Sequence, residues 1–548
     1  MPFEPIARSG SAYAYPLLIK RLLETPLMQV PNQEIVYCNT GRICYRQLRE
    51  RIGRVATALA KLGVRPGDTV AVMDWDSHRY LECFFAVPMM GAVLHTINVR
   101  LSPEQILYTI NHARDDVILV NAEFLPCLEQ IRDRMESVKT LILINDSGRQ
   151  PETMLAFAGE YEQLLAVSDP GYMFPEFPEE TRATTFYTTG TTGLPKGVYF
   201  SHRQIMLHTL AGRAALGGTG QGRFNRDDVY MPITPMFHVH AWGVPYVATN
   251  LGVKQVYPGR YDPETLLELI EREGVTFSHC VPTILQMLLT SPRAGETDLS
   301  RWKVVVGGAA LPRALAKQAL DLGVDVFAGY GMSETCPLLT LAQLTPHTLR
   351  WDEDRKLAMR CKAGFPLPLV ELRIVDADMN DMDHDGRSQG EVVVRAPWLS
   401  QGYLYETDRS EELWNGGYLH TGDLGTIDAE GYLDVTDRIK DVIKTGGEWV
   451  SSLALESLIL EHPAVAEVAV IGVPDPDWGE RPMALVVARS DRVEEVTEEA
   501  IKALLLQHVE KGVLSKFGIP NRVVVVDAIP KTSVGKLNKK LMRELYGQ

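Results

Sequence analysis

Tyr187-Thr-Thr-Gly-Thr-Thr-Gly-Leu-Pro-Lys-Gly197 is a segment built to hold a polyphosphate. Three glycines let the backbone turn its N–H groups inward at low steric cost, four threonine hydroxyls add donors, and Lys196 brings a point charge. The pattern is not of the Walker type, which places Gly-Lys-Ser/Thr after a glycine and four residues. Here Lys196 follows Pro195 and precedes Gly197, which disfavours an ordinary P-loop NTPase. A Gly/Thr-rich surface turn would share the composition, but turns rarely need so many donors together.

Outward from this loop, helix and strand alternate. In residues 45–62 the apolar positions Leu48, Ile52, Val55, Leu59 and Leu62 recur at three- and four-residue spacing, and Gly63 ends the helix. A short β-branched strand follows at 68–73, opened by Pro66-Gly67. The same helix-then-strand unit recurs at 103–112 with 117–120, and at 263–273 with 275–280. Such alternation predicts α/β layers with largely parallel sheets. Residues 148–180, with Pro151, Pro170, Pro175 and Pro178, read as a linker over the surface. Near Asp437 the character changes: a strand at 431–437 gives way to a helix (452–461), strands at 465–473 and 483–488 around the turn Pro474-Asp-Pro-Asp-Trp-Gly, a helix (498–510) and a strand (522–526). This predicts a large α/β unit over residues 1–437 and a small α+β unit over 438–548.

Composition bounds the chemistry. The chain has 548 residues, 45% apolar and 23% charged, enough for two or more domains with sizeable cores. Its apolar runs fall short of a membrane helix, and Lys20 and Arg21 interrupt the apolar stretch near the N-terminus, so a cytoplasmic protein without secretory signal or transmembrane segment is expected. Seven scattered cysteines without a Cys-x-x-Cys pair suggest neither a disulfide framework nor zinc. A formal charge of −15 argues against broad nucleic-acid binding, so an anionic nucleotide must be held by local donors.

Four further clusters carry chemical potential, each with a plainer alternative. Gly329-Tyr-Gly-Met-Ser-Glu-Thr335 follows a strand-like 324–327, where glycines let a ligand approach the backbone and where Glu334 and Thr335 suit a metal or phosphate; a plain glycine-rich turn looks the same. Pro235-Met-Phe-His-Val-His-Ala-Trp242 packs two histidines and an indole into eight residues, with no nearby carboxylate to complete a zinc site, leaving a pocket wall or a core histidine. Tyr418-Leu-His-Thr-Gly-Asp423 places an acid after a glycine, suited to gripping ribose hydroxyls, although an Asx turn would match. Pro530-Lys-Thr-Ser-Val-Gly-Lys536 sets two lysines around a turn, by default a solvated basic loop.

Taken in this order and spacing, and with Asp437–Glu448, the segments resemble the adenylate-forming superfamily of acyl-CoA synthetases, luciferases and peptide-synthetase adenylation domains. The resemblance spans essentially the whole chain. Pro235–Trp242 and the stretch Gly91-Ala-Val-Leu-His-Thr-Ile-Asn-Val-Arg-Leu-Ser-Pro look most like fatty-acyl-CoA synthetases and their medium- and short-chain relatives. The resemblance implies a large N-terminal domain with a small, mobile C-terminal one, and an ATP-dependent ligase that forms acyl-AMP and then an acyl-CoA thioester. It implies that Thr188, Thr189, Gly190, Thr191, Thr192, Gly193 and Lys196 hold the terminal phosphates, with Thr191 and Glu334 at Mg²⁺. Gly308, Ala309, Gly329, Tyr330, Gly331 and Met332 border the adenine, with Thr335 beside them, and Asp423 and Arg438 take the ribose. Lys536 bridges carboxylate and α-phosphate. His238, Trp242, Gly307 and Gly308 form the acyl pocket, His238 also counting as catalytic. Asp437 is the hinge, and Lys444, Gly446, Gly447 and Glu448 serve coenzyme A. The absence of Arg or Lys from 235–242 and 304–311 favours an apolar acid, medium- to long-chain fatty acid first; a short sulfur-containing or aryl acid, or another acceptor than CoA, is the alternative. A homodimer would resemble some relatives.

Overall fold

The computed structural model describes residues 6–39, 41–188, 194–218, 221–446, 448–532 and 536–547, and within them the chain forms four β-sheets. In the first, seven strands run in the order Gly159–Glu160, Thr140–Ile144, Asp115–Asn121, Thr69–Met73, Val93–Thr96, Arg182–Thr188, Lys196–Ser201. All neighbours are parallel except the last pair, which the phosphate loop joins. Thr69–Met73 is buried at every position, as a strand covered on both faces must be.

The second sheet has nine strands: Phe365–Pro366, Leu338–Leu341, Asp325–Gly331, Lys303–Val306, Phe277–Cys280, Val229–Pro232, Lys254–Tyr257, Glu34–Tyr37, Gly41–Cys44. Its middle, from Asp325–Gly331 to Glu34–Tyr37, is parallel and its edges are antiparallel. One buried apolar cluster runs through both large sheets and the helices on them.

The helices form where caps and apolar spacing agree. Ser102 and Asp262 accept the N–H groups of Gln105 (3.3 Å) and Thr265 (2.9 Å), each followed by a proline in the first turn, so Pro103–Ala113 and Pro263–Glu273 start where sequence places them. Tyr45–Lys61 buries Leu48, Ile52, Val55 and Leu59 against the helix His78–Met89, with Arg51 paired to the buried Glu82 at 2.6 Å.

The third sheet is antiparallel: Glu371–Val375, Gly390–Arg395, Tyr418–Ile427 and Trp414–Asn415, with Leu433–Arg438 added on Tyr418–Ile427. The fourth joins Glu448–Val450, Ile443–Thr445, Gly479–Ala488 and Val465–Asp475, with Arg522–Val525 parallel to Gly479–Ala488. It has cores of its own on its two faces, with Leu455, Val470 and Ile501 in one and Ile471, Leu485 and Met542 in the other. Asp437 sits one residue before the end of the third sheet's last strand.

Four sequence expectations need correction. Residues 148–180 are not wholly linker: Gly159–Glu160 adds the seventh strand and Tyr161–Ala166 is a helix, whose Glu162 pairs with Arg51 (2.9 Å) and Arg79 (2.8 Å). Gly329 and Gly331 do not follow a strand but lie inside Asp325–Gly331, because a Cβ at Gly331 would stand 1.9 Å from the Pro337 carbonyl oxygen of the antiparallel return. Asp423 lies within a strand too, at a bulge where Gly422 takes φ +69° and the register against Gly390–Arg395 slips. The turn at 474–479 is shorter than expected, with Asp475 already paired to Gly479. All seven cysteines are free, with Cys83, Cys280 and Cys336 buried, and among the described residues no helix is long and apolar enough to cross a membrane.

Gly53, mid-helix in Tyr45–Lys61, carries a checkable consequence: a Cβ there would lie 2.0 Å from the Pro170 carbonyl oxygen. Gly→Ala inside a helix ordinarily stabilises by about 1 kcal/mol. Here Gly53→Ala lowers the urea-unfolding midpoint, at a cost of roughly 1–3 kcal/mol for the displaced backbone, and a gain in stability would refute the contact.

Candidate active site

Four parallel strands of the second sheet, Val229–Pro232, Phe277–Cys280, Lys303–Val306 and Asp325–Gly331, end around one cavity, the place where open α/β sheets bind ligands. The residues at or just past each strand's end line it: Thr234 and Pro235, Val281 and Ile284, Gly307 and Gly308, and Tyr330 to Met332. Lys536 enters from the C-terminal unit. The free volume is about 60 Å³, well under a ligand pocket's usual range, because Trp242 and Lys536 reach into it. The glycines make that reach possible. A Cβ on Gly307 would stand 3.1 Å from the Trp242 indole, and one on Gly308, at φ +78°, would stand 3.4 Å from Lys536 Cε.

The wall that carries His238 and Trp242 has an unusual backbone. Val239, His240, Ala241 and Trp242 take φ of +48°, +55°, +47° and +58°, and Gly243 continues at +70°, giving one left-handed turn. At roughly 1–2 kcal/mol for each non-glycine residue, the turn stores on the order of 4–8 kcal/mol that the surroundings must offset. Much of the offset is packing. His240 is fully buried between the rings of Phe84, Phe186 and Tyr246, and neither ring nitrogen has a hydrogen-bond partner among the described residues. Burial pushes its pKa down to about 3, so the imidazole is neutral and serves as an aromatic filler. Trp242 is 7% exposed and tilts against His279 at 5.1 Å. Burial, then the charges of Lys536 and Arg100, lower the pKa of His238 to about 3 as well.

A polar cluster lies beside the cavity. Tyr330 Oη donates to Asp423 Oδ2 at 2.7 Å, and Arg438 Nε pairs with Asp423 Oδ1 at 3.1 Å, so the bulge at Gly422 aims one buried carboxylate at both. Tyr403 Oη donates to Glu334 Oε1 at 2.7 Å while Lys196 Nζ stands 4.4 Å above the Tyr403 ring. The far end of the phosphate loop and the glutamate are therefore neighbours, and Thr188 pairs with Lys196 at the loop's base. Tyr187 is held from below by His112 Nδ1 at 2.8 Å. Burial, then Arg438, lower the Lys536 pKa to about 8, opposed by the carboxylates of Asp423 and Glu334.

The structure thus brings together His238, Trp242, Gly307, Gly308, Gly329, Tyr330, Gly331, Met332 and Lys536 around the cavity, with Asp423, Arg438, Glu334, Thr188 and Lys196 beside it. Thr189, Gly190, Thr191, Thr192, Gly193 and Gly447 lie outside the described residues. Ala309 is exposed beyond the lining, and Thr335 is fully buried with its hydroxyl engaged by Met332 N and O at 3.0 Å, so it braces the turn. Lys444, Gly446 and Glu448 lie on a hairpin away from the cavity. There Gly446, at φ +58°, lies under Trp478, where a Cβ would meet the indole at 2.7 Å. Asp437 accepts from Ser452 N (2.6 Å) and Oγ (2.8 Å), capping the first helix of the C-terminal unit.

Sequence reasoning missed Arg100, Tyr261, Asp76 and Tyr403. Arg100 and Tyr261 line the cavity. Arg100 stands inside a quoted motif, but nothing in its spacing shows that the first sheet's loop reaches the second sheet's cavity. Among the described residues no group of three or more His, Cys, Asp or Glu side chains gathers as a metal cluster would.

The AMP-binding enzyme family matches residues 23–404, and the AMP-binding enzyme C-terminal domain matches residues 454–536. The chain is 41% identical over 508 residues to a long-chain-fatty-acid–CoA ligase of Thermus thermophilus, covering 92% of this chain and 90% of that one. It is 39% identical over 548 residues to a 3-methylmercaptopropionyl-CoA ligase of Ruegeria lacuscaerulensis, covering 98% of each. The crystal structure of an anthranilate CoA ligase in complex with anthranoyl-AMP superposes with a TM-score of 0.85 at 25% identity, covering 97% of this chain and 98% of that one.

Proposed function

The chain belongs to the AMP-binding enzyme family and is an adenylate-forming acyl-CoA ligase; we propose that it acts on medium- to long-chain fatty acids and that the cavity around Lys536 is its reaction centre. The observation that carries the assignment is the position of Lys536. A lysine from the C-terminal unit sits in an otherwise largely apolar cavity, beside glycines at the strand ends, where burial lowers its pKa and the carboxylates of Asp423 and Glu334 offset part of that lowering.

In the first half-reaction the acid's carboxylate oxygen attacks the α-phosphorus of ATP, the new P–O bond forms, and the bond to pyrophosphate breaks. Asp423 accepts the ribose hydroxyls, Thr188 and Lys196 hold the terminal phosphates, and the Lys536 ammonium neutralises charge gathering between carboxylate and α-phosphate. Glu334 suits Mg²⁺, which typically takes one or two carboxylates along with phosphate oxygens and water; bound there it would supply further charge neutralisation on the phosphates. In the second half-reaction the CoA thiolate attacks the acyl carbon and AMP leaves. We assign the pivot between the halves to Asp437, dividing residues 1–437 from 438–548, with Lys536 withdrawing as the Gly446 hairpin approaches. On this reading, the arrangement with Lys536 in the cavity and the hairpin away from it corresponds to the adenylating state.

A short acid is the second reading, favoured by the small cavity and by full-length similarity to the 3-methylmercaptopropionyl-CoA ligase. AMP release measured across straight-chain acids from C2 to C18 decides between the two.

Lys536→Ala is expected to slow acyl-adenylate formation by about two orders of magnitude or more while leaving conversion of chemically made acyl-AMP and CoA near the wild-type rate. Equal loss in both halves would refute the role. The cation is the working form, and with a pKa of about 8 it is lost as pH rises. kcat/KM for adenylation therefore falls by about tenfold per pH unit above that value, whereas thioester formation from acyl-AMP lacks this limb.

Trp242→Ala is expected to shift relative kcat/KM between C4 and C12 acids by at least about tenfold, ~1.4 kcal/mol of differential transition-state binding. A lowered melting temperature with an unchanged profile would make Trp242 a packing residue only.

A further inference from the structure

We infer that Asp76 is a positioning residue for acyl recognition: its carboxylate pins the entrance of the left-handed turn bearing His238 and Trp242, and thereby sets which acids the cavity accepts. The inference rests on the ligase reading above and adds to it a residue that never touches substrate.

Asp76 stands three residues past Thr69–Met73, in the first large sheet, and is 2% exposed. Its main chain crosses to the second sheet's side, where its carbonyl oxygen accepts from Gly259 N at 2.9 Å. Its side chain does more. Oδ1 accepts from Met236 N at 2.8 Å, and Oδ2 accepts from Tyr261 Oη at 2.5 Å. Met236 lies two residues before His238 and three before the first residue at positive φ. Tyr261 lines the opposite part of the cavity, with the Arg100 guanidinium 5.9 Å from its ring centre. One carboxylate therefore fixes two walls relative to each other.

Backbone held in a sparsely populated region persists only when its surroundings over-determine it. At the exit of the turn, Gly243 packs so closely on His208 that a Cβ would meet the ring at 2.9 Å. At the entrance, Phe237 O accepts from Thr96 Oγ1 at 2.9 Å, and Met236 N has Asp76. A carboxyl group suits this position because it sets one acceptor oxygen against each donor, Met236 N–H and Tyr261 O–H, even though burial pushes its pKa up to about 7, whereas an amide offers only one acceptor atom. The neighbouring Asp74 cannot substitute, since its oxygens serve Ser77 Oγ, Asn121 Nδ2 and Trp75 N.

The test compares wild type, Asp76→Asn, Tyr261→Phe and the double variant for kcat/KM on C4 and C12 acids and for KM of ATP. Asp76→Asn is expected to change the C4-to-C12 ratio by about tenfold or more with KM for ATP within about twofold, a split that general destabilisation would not produce. Tyr261→Phe should move the ratio in the same direction by less, and the double variant no further than Asp76→Asn alone, since both act through one contact. An unmoved ratio in folded Asp76→Asn, equal loss on the acid and ATP sides, or additive effects would overturn the role. Where Asp76→Asn does not fold, an unmoved ratio in Tyr261→Phe overturns it. Wild-type protein that releases no AMP with any acid fails the ligase reading and the inference together, whereas wild-type activity with an unmoved ratio fails Asp76 alone.

Discussion

A single buried carboxylate, that of Asp423, joins the cavity to the strand that leads into the C-terminal unit. It accepts from Tyr330, at the cavity end of a second-sheet strand, and pairs with Arg438, at the end of the third sheet's last strand. From Arg438 the chain passes directly into the fourth sheet and on to Lys536. The bulge at Gly422 turns Asp423 toward both partners, so the same carboxylate touches the cavity's edge and the strand that enters the C-terminal unit.

The opposite wall is organised by strain, where the Asp423 side is organised by charge. Four consecutive non-glycine residues at positive φ would not be chosen by an isolated peptide, and the fold keeps them by surrounding His240 with aromatic rings and by bonding the backbone just before the turn. The two walls differ in what they resist. The charged wall resists loss of a partner, because an uncompensated buried carboxylate is costly, whereas the strained wall resists relaxation of its own backbone.

The alternation of helix and strand, the stop at Gly63 and the glycine-rich motifs were legible in the sequence, because period, helix stop signals and loss of side chains are local properties. Tyr45–Lys61 and Pro263–Glu273 fall within a residue of expectation for that reason. What the sequence concealed is long-range. Gly331 reads as a turn residue until the Pro337 carbonyl is found against it, and the stretch around Gly159–Glu160 reads as linker until a strand edge is found to receive it. Asp76 and Tyr261 are 185 positions apart and share no motif, so only their hydrogen bond joins them. The left-handed turn was invisible altogether, since Val, His, Ala and Trp in a row carry no signature for positive φ.

The tight cavity has a thermodynamic consequence. About 60 Å³ falls far short of the several hundred Å³ that a ligand pocket typically offers, so an acyl chain of any length has no ready-made place here. An arriving acyl chain must take the space that protein side chains occupy. Its measured affinity is the intrinsic affinity of the open form divided by the scarcity of that form. Discrimination among acids can then reside in how far each one tips the opening equilibrium, and calorimetry across a series of acids would register the conformational cost as a common offset, separate from the increment per methylene.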